Sequence, residues 1–185
     1  MNSKALDLNH SIYWLKAGKV LVHPTESIWG LGCDALNESA IDLIFKLKQR
    51  PLNKSLIVLV ESYFSIKDYV INLNPDQEKL LNEKWPGPYT FLFTYNKKLP
   101  KHLMNDTGKI AIRVSNHLPI KNLLEVYRGF MVSTSANFSG QPNINCPNKI
   151  LETFANDDIA YYDESCGDQS KPSQIIDLET GIIIR

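Results

Sequence analysis

The chain has 185 residues and a mass of 21.0 kDa, with 20 Lys+Arg against 20 Asp+Glu and a pI near 6.9. Hydrophobic residues at 43% and charged residues at 22% exclude a disordered chain, and a net charge of 0 excludes a protein that coats nucleic acid by bulk positive charge. No apolar run reaches the ~20 residues of a membrane span, and Met1–Asp7 lacks a signal-peptide core, so the expected compartment is the cytoplasm, without membrane association. Length and composition fit one domain over residues 1–185.

Lys19–Pro24 reads as a short strand ended by proline. Ala40, Ile41, Ile44, Phe45 and Leu47 recur near the helical period, which predicts a helix over Ser39–Gln49, with Asn37 as N-cap and Pro51 forcing the end. Ser55–Val60 is a continuous apolar run of buried-strand length. Asn74-Pro75-Asp76 reads as a cap, a first-turn proline and an acid, opening a helix to about Trp85. Strands follow at Tyr89–Tyr95 and Lys109–Val114, then a helix at Leu118–Tyr127 and a strand at Gly129–Ser133. A weaker helix at Asn148–Asn156 precedes strands at Ile159–Tyr162, Gln174–Asp177 and Gly181–Arg185. The mixture predicts a layered α/β architecture.

Three cysteines, an odd number with no C-x-x-C pair, are expected to be reduced, with Cys33 packing as a small hydrophobe. The four histidines form no H-E-x-x-H or Cys/His cluster, so no metal-ligand set is expected.

Four segments bear on chemistry. Residues 46–54, K-L-K-Q-R-P-L-N-K, hold four cations and no acid. They read either as a solvated helix end favoured by the helix dipole or as a polyanion site. On an ideal helix Lys48 and Arg50 lie ~200° apart, so both reach one ligand only if the helix stops near Gln49, as Pro51 favours. Residues 133–140, S-T-S-A-N-F-S-G, crowd four hydroxyls and an amide at the end of a predicted strand, as a hydrogen-bonded turn or a ligand loop. In residues 109–117 the alternation of Ile110, Ile112 and Val114 with Ala111, Arg113 and Ser115 places Arg113 opposite the isoleucines, as a buried ion pair or a phosphate fork. Residues 24–32, P-T-E-S-I-W-G-L-G, follow a strand but are neither G-x-G-x-x-G nor a Walker loop, so side chains must hold any nucleotide phosphate. Glu26 there could act as a base or pair with a cation, and pairing is favoured.

With these segments in order, the sequence resembles the YrdC/Sua5 family, most closely its short single-domain bacterial form. The matching pieces are H-P-T-E-S-I-W-G-L-G-C, K-L-K-Q-R-P-L-N-K-S-L, W-P-G-P-Y-T, I-A-I-R-V-S-N-H, S-T-S-A-N-F-S-G and K-P-S-Q-I-I-D, spanning about Lys19 to Asp177. The resemblance implies a twisted, open, mixed sheet with flanking helices around a large concave cavity. It implies an L-threonylcarbamoyladenylate synthase, a nucleotidyltransferase that condenses L-threonine, bicarbonate and ATP and releases pyrophosphate. The product serves N6-threonylcarbamoyl modification of adenosine 37 in ANN-decoding tRNA, which links the enzyme to a tRNA threonylcarbamoyl transferase complex. The family tetrad falls on Lys48, Arg50, Ser135 and Asn137. Thr25 is implied at the threonine site and Lys54 and Ser55 at the phosphates. Arg113, His117 and Ser173 are implied around the nucleotide, with Ser133 and Thr134 lining the same pocket. Mg²⁺ is expected to arrive with ATP. The sequence departs from the usual family pattern at His23, Trp29 and Ser115. The rival reading, an RNA-binding module using the same basic concavity, is opposed by zero net charge, so any tRNA binding is expected to be weak.

Overall fold

The computed structural model describes residues 4–51, 54, 56–169 and 172–185. Nine strands form one sheet: β1 (Ala5–Leu6), β2 (Val20–His23), β3 (Gly30–Asp34), β4 (Ile57–Leu59), β5 (Tyr89–Thr94), β6 (Lys109–Arg113), β7 (Met131–Ser135), β8 (Ile159–Tyr162) and β9 (Gln174–Asp177). Their order is β1-β8-β2-β3-β7-β4-β6-β5-β9. The β1–β8, β2–β8, β4–β6 and β5–β9 pairs are parallel, and the other four are antiparallel. The helices are α1 (Leu8–Lys16), α2 (Glu38–Lys48), α3 (Tyr63–Ile66), α4 (Pro75–Lys84), α5 (Leu118–Tyr127) and α6 (Pro147–Phe154). This is the mixed α/β sheet with flanking helices that the sequence predicted. No helix among the described residues is long and apolar enough to cross a membrane.

Strand alternation divides the side chains between two faces. Val22, Leu31, Cys33, Val58, Phe91, Ile112 and Val132 join residues from α2, α4 and α6 in the larger apolar core. On the opposite face Leu21, Leu59 and Met131 pack against Ile12 and Leu15 of α1 and Leu123 and Leu124 of α5. The rest of that second face carries Ser133, Ile57, Ala111 and Arg113, which are register partners or next neighbours across β7, β4 and β6. Those residues line a cleft.

The predicted caps hold. Asn37 accepts from Ala40 N, and Asn74 forms a capping box with Gln77. Gln49 takes a left-handed conformation (φ 49°), so α2 ends at Lys48. Ser55, at the start of the predicted β4 run, lies outside the described residues. β7 begins two residues later than predicted and runs through Thr134 and Ser135, because those turn-forming residues pair with Leu31 and Gly30. The pairing overrides their local preference. The weaker helix also shifts, starting at Pro147 and ending at Phe154. Residues 181–185 form no named strand. They fold back along β9 through an Ile176–Ile183 bridge and hydrogen bonds from Asp177 N to Ile182 O and from Ile184 N to Ile175 O.

Four of the named elements were not foreseen: β1, α1, β3 and α3. Glycines made β3 look like a loop. Gly30 pairs with His23 across the strands, and a Cβ at Gly30 would lie 2.6 Å from His23 Nε2 and Cε1. A Cβ at Gly32 would lie 2.6 Å from Val132 O and 3.0 Å from His23 Cδ2. The bare strand therefore makes room for a fully buried imidazole. His23 Nδ1 donates to Pro24 O at 3.0 Å, which leaves Nε2 as the lone-pair nitrogen. Burial pushes its pKa down to about 4, so the ring is neutral at physiological pH.

Candidate active site

The cleft has a volume of about 230 Å³ and lies on the β3-β7-β4-β6 face. Seven of the predicted site residues line it: Thr25, Arg50, Arg113, Ser133, Thr134, Ser135 and Ser173. Three arginines line it, Arg50, Arg113 and Arg185. Burial lowers the pKa of each below the ordinary arginine value, yet each remains protonated. A chain with no net charge thus gathers cations in one concave place.

Arg113 is fixed by one carboxylate. Its Nη2 lies 2.7 Å from Glu26 Oε1, and its Nε donates to Gly87 O at 3.2 Å. The same Glu26 oxygen accepts from Ser115 Oγ at 2.7 Å and Asn116 N at 3.2 Å. Against the upward push of burial, Arg113, Ser115 and Asn116 hold the Glu26 carboxyl below its ordinary value. The ion-pair reading of Arg113 holds, and the residue also lines the cleft. Glu26 is occupied as an ion-pair partner.

Lys48 is placed differently from Arg50. It is 1% exposed and does not line the cleft. Its ammonium donates to Ser135 O, to Asn137 O at 2.8 Å and to Asn137 Oδ1 at 3.2 Å. Its own carbonyl accepts from Ser139 N at 2.9 Å. Asn137 Oδ1 also accepts from Ser135 Oγ at 2.6 Å, and Asn137 Nδ2 donates to Gln141 O. The helix does stop where convergence on one ligand required. Even so, Lys48 turns inward and fastens the S-x-N turn, whereas Arg50 turns toward the cleft. Burial, then Arg50, pushes the Lys48 ammonium down to about 7.

Thr25 uses its hydroxyl locally. Oγ1 donates to Ile28 O at 2.6 Å and accepts from Ile28 N at 3.1 Å and Ser27 N at 3.3 Å. It closes the turn that carries Glu26. Thr25→Val is therefore expected to cut turnover about 10-fold or more through loss of this turn, with Thr25→Ser close to wild type. Steady-state rates of the two variants check this. Equal rates for Val and wild type would contradict it.

Ser173 Oγ shares a hydrogen bond with Thr90 Oγ1 at 2.9 Å, and its carbonyl accepts from Arg185 Nη2 at 3.2 Å. His117 caps α5, and its Nε2 donates to Ser165 O at 2.9 Å, outside the cleft lining. Lys54 is exposed and Ser55 lies outside the described residues. Arg185 was missed because no local motif marks it, and the fold-back along β9 is what brings it to Ser173. Ser27, Trp29 and Gly30 were within a noted segment but were given no role. Among the described residues no three His, Cys, Asp or Glu side chains stand together as a metal-ligand set.

A family model described as "Telomere recombination", for Sua5, YciO and YrdC, matches residues 14–185. The chain belongs to the Sua5/YciO/YrdC family. It is 35% identical over 178 residues to a threonylcarbamoyl-AMP synthase of Klebsiella pneumoniae, covering 95% of this chain and 93% of that one. It is 37% identical over 169 residues to a threonylcarbamoyl-AMP synthase of Buchnera aphidicola, covering 90% and 88%. Among solved structures it is similar to P. abyssi Sua5 complexed with L-threonine, with a TM-score of 0.84 and 26% identity. That match covers 96% of this chain and 53% of the P. abyssi one, so this chain spans about half of that Sua5 protein. The K-x-R, S-x-N and P-T-E segments of this Sua5/YciO/YrdC member are the ones that build and brace the cleft.

Proposed function

We propose that the cleft is the active site of a threonylcarbamoyl-AMP synthase, a nucleotidyltransferase that makes L-threonylcarbamoyl-adenylate from ATP, L-threonine and bicarbonate. The observation that carries this reading is that Arg50, Arg113 and Arg185 line one cleft beside the braced Ser135 turn. ATP, bicarbonate and the threonine carboxylate are all anions, and guanidiniums match phosphate and carboxylate geometry.

The threonine amine attacks the bicarbonate carbon. A C–N bond forms, and the departing oxygen leaves as water with the amine proton. A carbamate oxygen then attacks the α-phosphorus, and pyrophosphate leaves. The protein contributes positioning and charge neutralisation. Arg50 and Arg113 face the phosphates and the carboxylate. Ser133, midway along β7, and Ser135, at its carboxyl end, offer neutral hydrogen bonds. Mg²⁺ enters as part of the ATP substrate, since Glu26, the carboxylate nearest Arg113, is committed to Arg113 and Ser115. The product would serve threonylcarbamoylation of adenosine in tRNA, through a transferase complex in the cytoplasm.

An RNA-binding module is not favoured. Of the four cations in residues 46–54, Arg50 lines the cleft and Lys48 lies inside the protein, which leaves Lys46 and Lys54 exposed. A phosphate backbone needs its cations on an accessible surface.

Pyrophosphate release from ATP is expected to require both L-threonine and bicarbonate. Omitting either should return the rate to background. Release indifferent to threonine would contradict the proposal.

A further inference from the structure

A second cavity, of about 370 Å³, lies beyond the Arg113–Glu26 pair. It sits at the carboxyl ends of β4 and β6, which are adjacent and parallel. Open α/β sheets take ligands at such ends. Val60, Leu81, Trp85, Val114 and Leu124 line it with apolar surface. The Trp85 indole is held in place, donating from Nε1 to Tyr89 O at 2.7 Å and packing against Phe91 and Phe93. A cavity of this size with an apolar floor and a few polar groups is the usual form of a small-molecule site.

The polar groups select the ligand class. Lys121 and Glu125 line the cavity one turn apart on α5. Among the described residues neither has an ion-pair partner. Glu61, the other acid in the lining, is already held by Arg128 at 3.1 Å to both oxygens. One open cation and one open anion beside an apolar floor suit a zwitterion with an apolar body.

The cavity also touches the cleft's brace. Ser115 lines it, while Ser115 Oγ donates to Glu26 Oε1 and accepts from His117 N at 3.1 Å. Glu26 Oε1 in turn holds Arg113. A ligand that draws the Ser115 hydroxyl toward itself removes one hydrogen bond from Glu26 and loosens the guanidinium in the cleft. A ligand shifts such an equilibrium only by its differential affinity for the two arrangements, and the effect is reciprocal between the sites.

We propose that this second cavity is an effector site for an α-amino acid with a large apolar side chain, and that its occupation weakens threonine use in the cleft through Ser115, Glu26 and Arg113. The binding part stands independently of the proposed function, and the coupling part rests on it.

The test uses the full chain labelled with fluorotryptophan, observed by fluorine NMR, with L-phenylalanine as probe. Trp85 reports the second cavity and Trp29 reports the cleft. L-Phenylalanine is expected to shift the Trp85 signal saturably and leave the Trp29 signal near its place. Lys121→Glu, an exposed change, is expected to weaken that binding about 10-fold while leaving the effector-free rate and the melting temperature unchanged. An unmoved Trp85 signal, or a shift that survives Lys121→Glu undiminished, overturns the site. In the pyrophosphate assay, saturating L-phenylalanine is expected to raise the threonine KM about 5-fold, and not in Lys121→Glu. A Trp85 shift with an unchanged KM overturns the coupling. A protein that binds L-phenylalanine at Trp85 but releases no pyrophosphate refutes the synthase reading and leaves the site standing.

Discussion

Lys48→Met is expected to lower adenylate formation by about 100-fold or more, although Lys48 does not face the cleft. The ammonium satisfies Ser135 O, Asn137 O and Asn137 Oδ1 together. A thioether of similar length fills the space and donates nothing. Buried acceptors left without a donor cost about 1–3 kcal/mol each, so a loss of about 3 kcal/mol in stability is expected. The Ser135–Asn137 turn then loses its fixed geometry, and Ser135 no longer stands at the cleft. A misplacement of this kind is expected to act on kcat more than on the ATP dissociation constant, because Arg50, which lines the cleft independently of the turn, stays in place. Urea unfolding, ATP titration and turnover of the variant check the three parts. A variant that keeps both full stability and full turnover would contradict the positioning role.

Arg113→Met is expected to abolish measurable turnover and to lower the melting temperature on the order of 10 °C. The pair it breaks is buried, with both side chains 10% exposed. Removing one partner strands the other charge, which costs about 3–5 kcal/mol. Replacing both partners removes the stranded charge. Arg113→Met with Glu26→Gln should therefore recover most of the stability and none of the activity. That divergence separates the bracing role of the pair from the ligand role proposed for the guanidinium. Calorimetry and pyrophosphate release on the two single variants and the double variant read it. A double variant as unstable as Arg113→Met alone would contradict the burial argument.

The pH dependence of this pair has a definite sign. The Glu26 carboxyl is held below its ordinary value of 4.5 in the folded protein. The stabilisation it supplies is present above that value and fades as the pH falls below it.

Much of this was legible in the sequence, for reasons that differ by element. The α2 and α4 boundaries follow from local chemistry, Asn37, Asn74 and Pro75 at the starts and Pro51 just beyond Gln49. The face of Arg113 follows from strand alternation alone. β3 was hidden because Gly30 and Gly32 answer to His23 on the neighbouring strand, which is a contact across the sheet. α1 is short, at nine residues, but Leu8, Ile12 and Leu15 recur at helical spacing behind the Asp7 cap, so its signal was present in the sequence. In the site, the K-x-R and S-x-N segments do come together, but the sequence could not divide their labour. Which of Lys48 and Arg50 turns inward depends on the left-handed Gln49 and on the carbonyls of a turn 87 residues away. Arg185 had no signal at all, since only the fold-back along β9 brings it to Ser173.

The most direct measurement is mass spectrometry of the nucleotide products formed from ATP, L-threonine and carbon-labelled bicarbonate. The expected product is an adenylate whose mass includes one threonine and one labelled carbon, absent when 2-aminobutyrate replaces threonine. Consumption of ATP with no labelled carbon in any adenylate, or no consumption at all, would contradict the proposed synthesis.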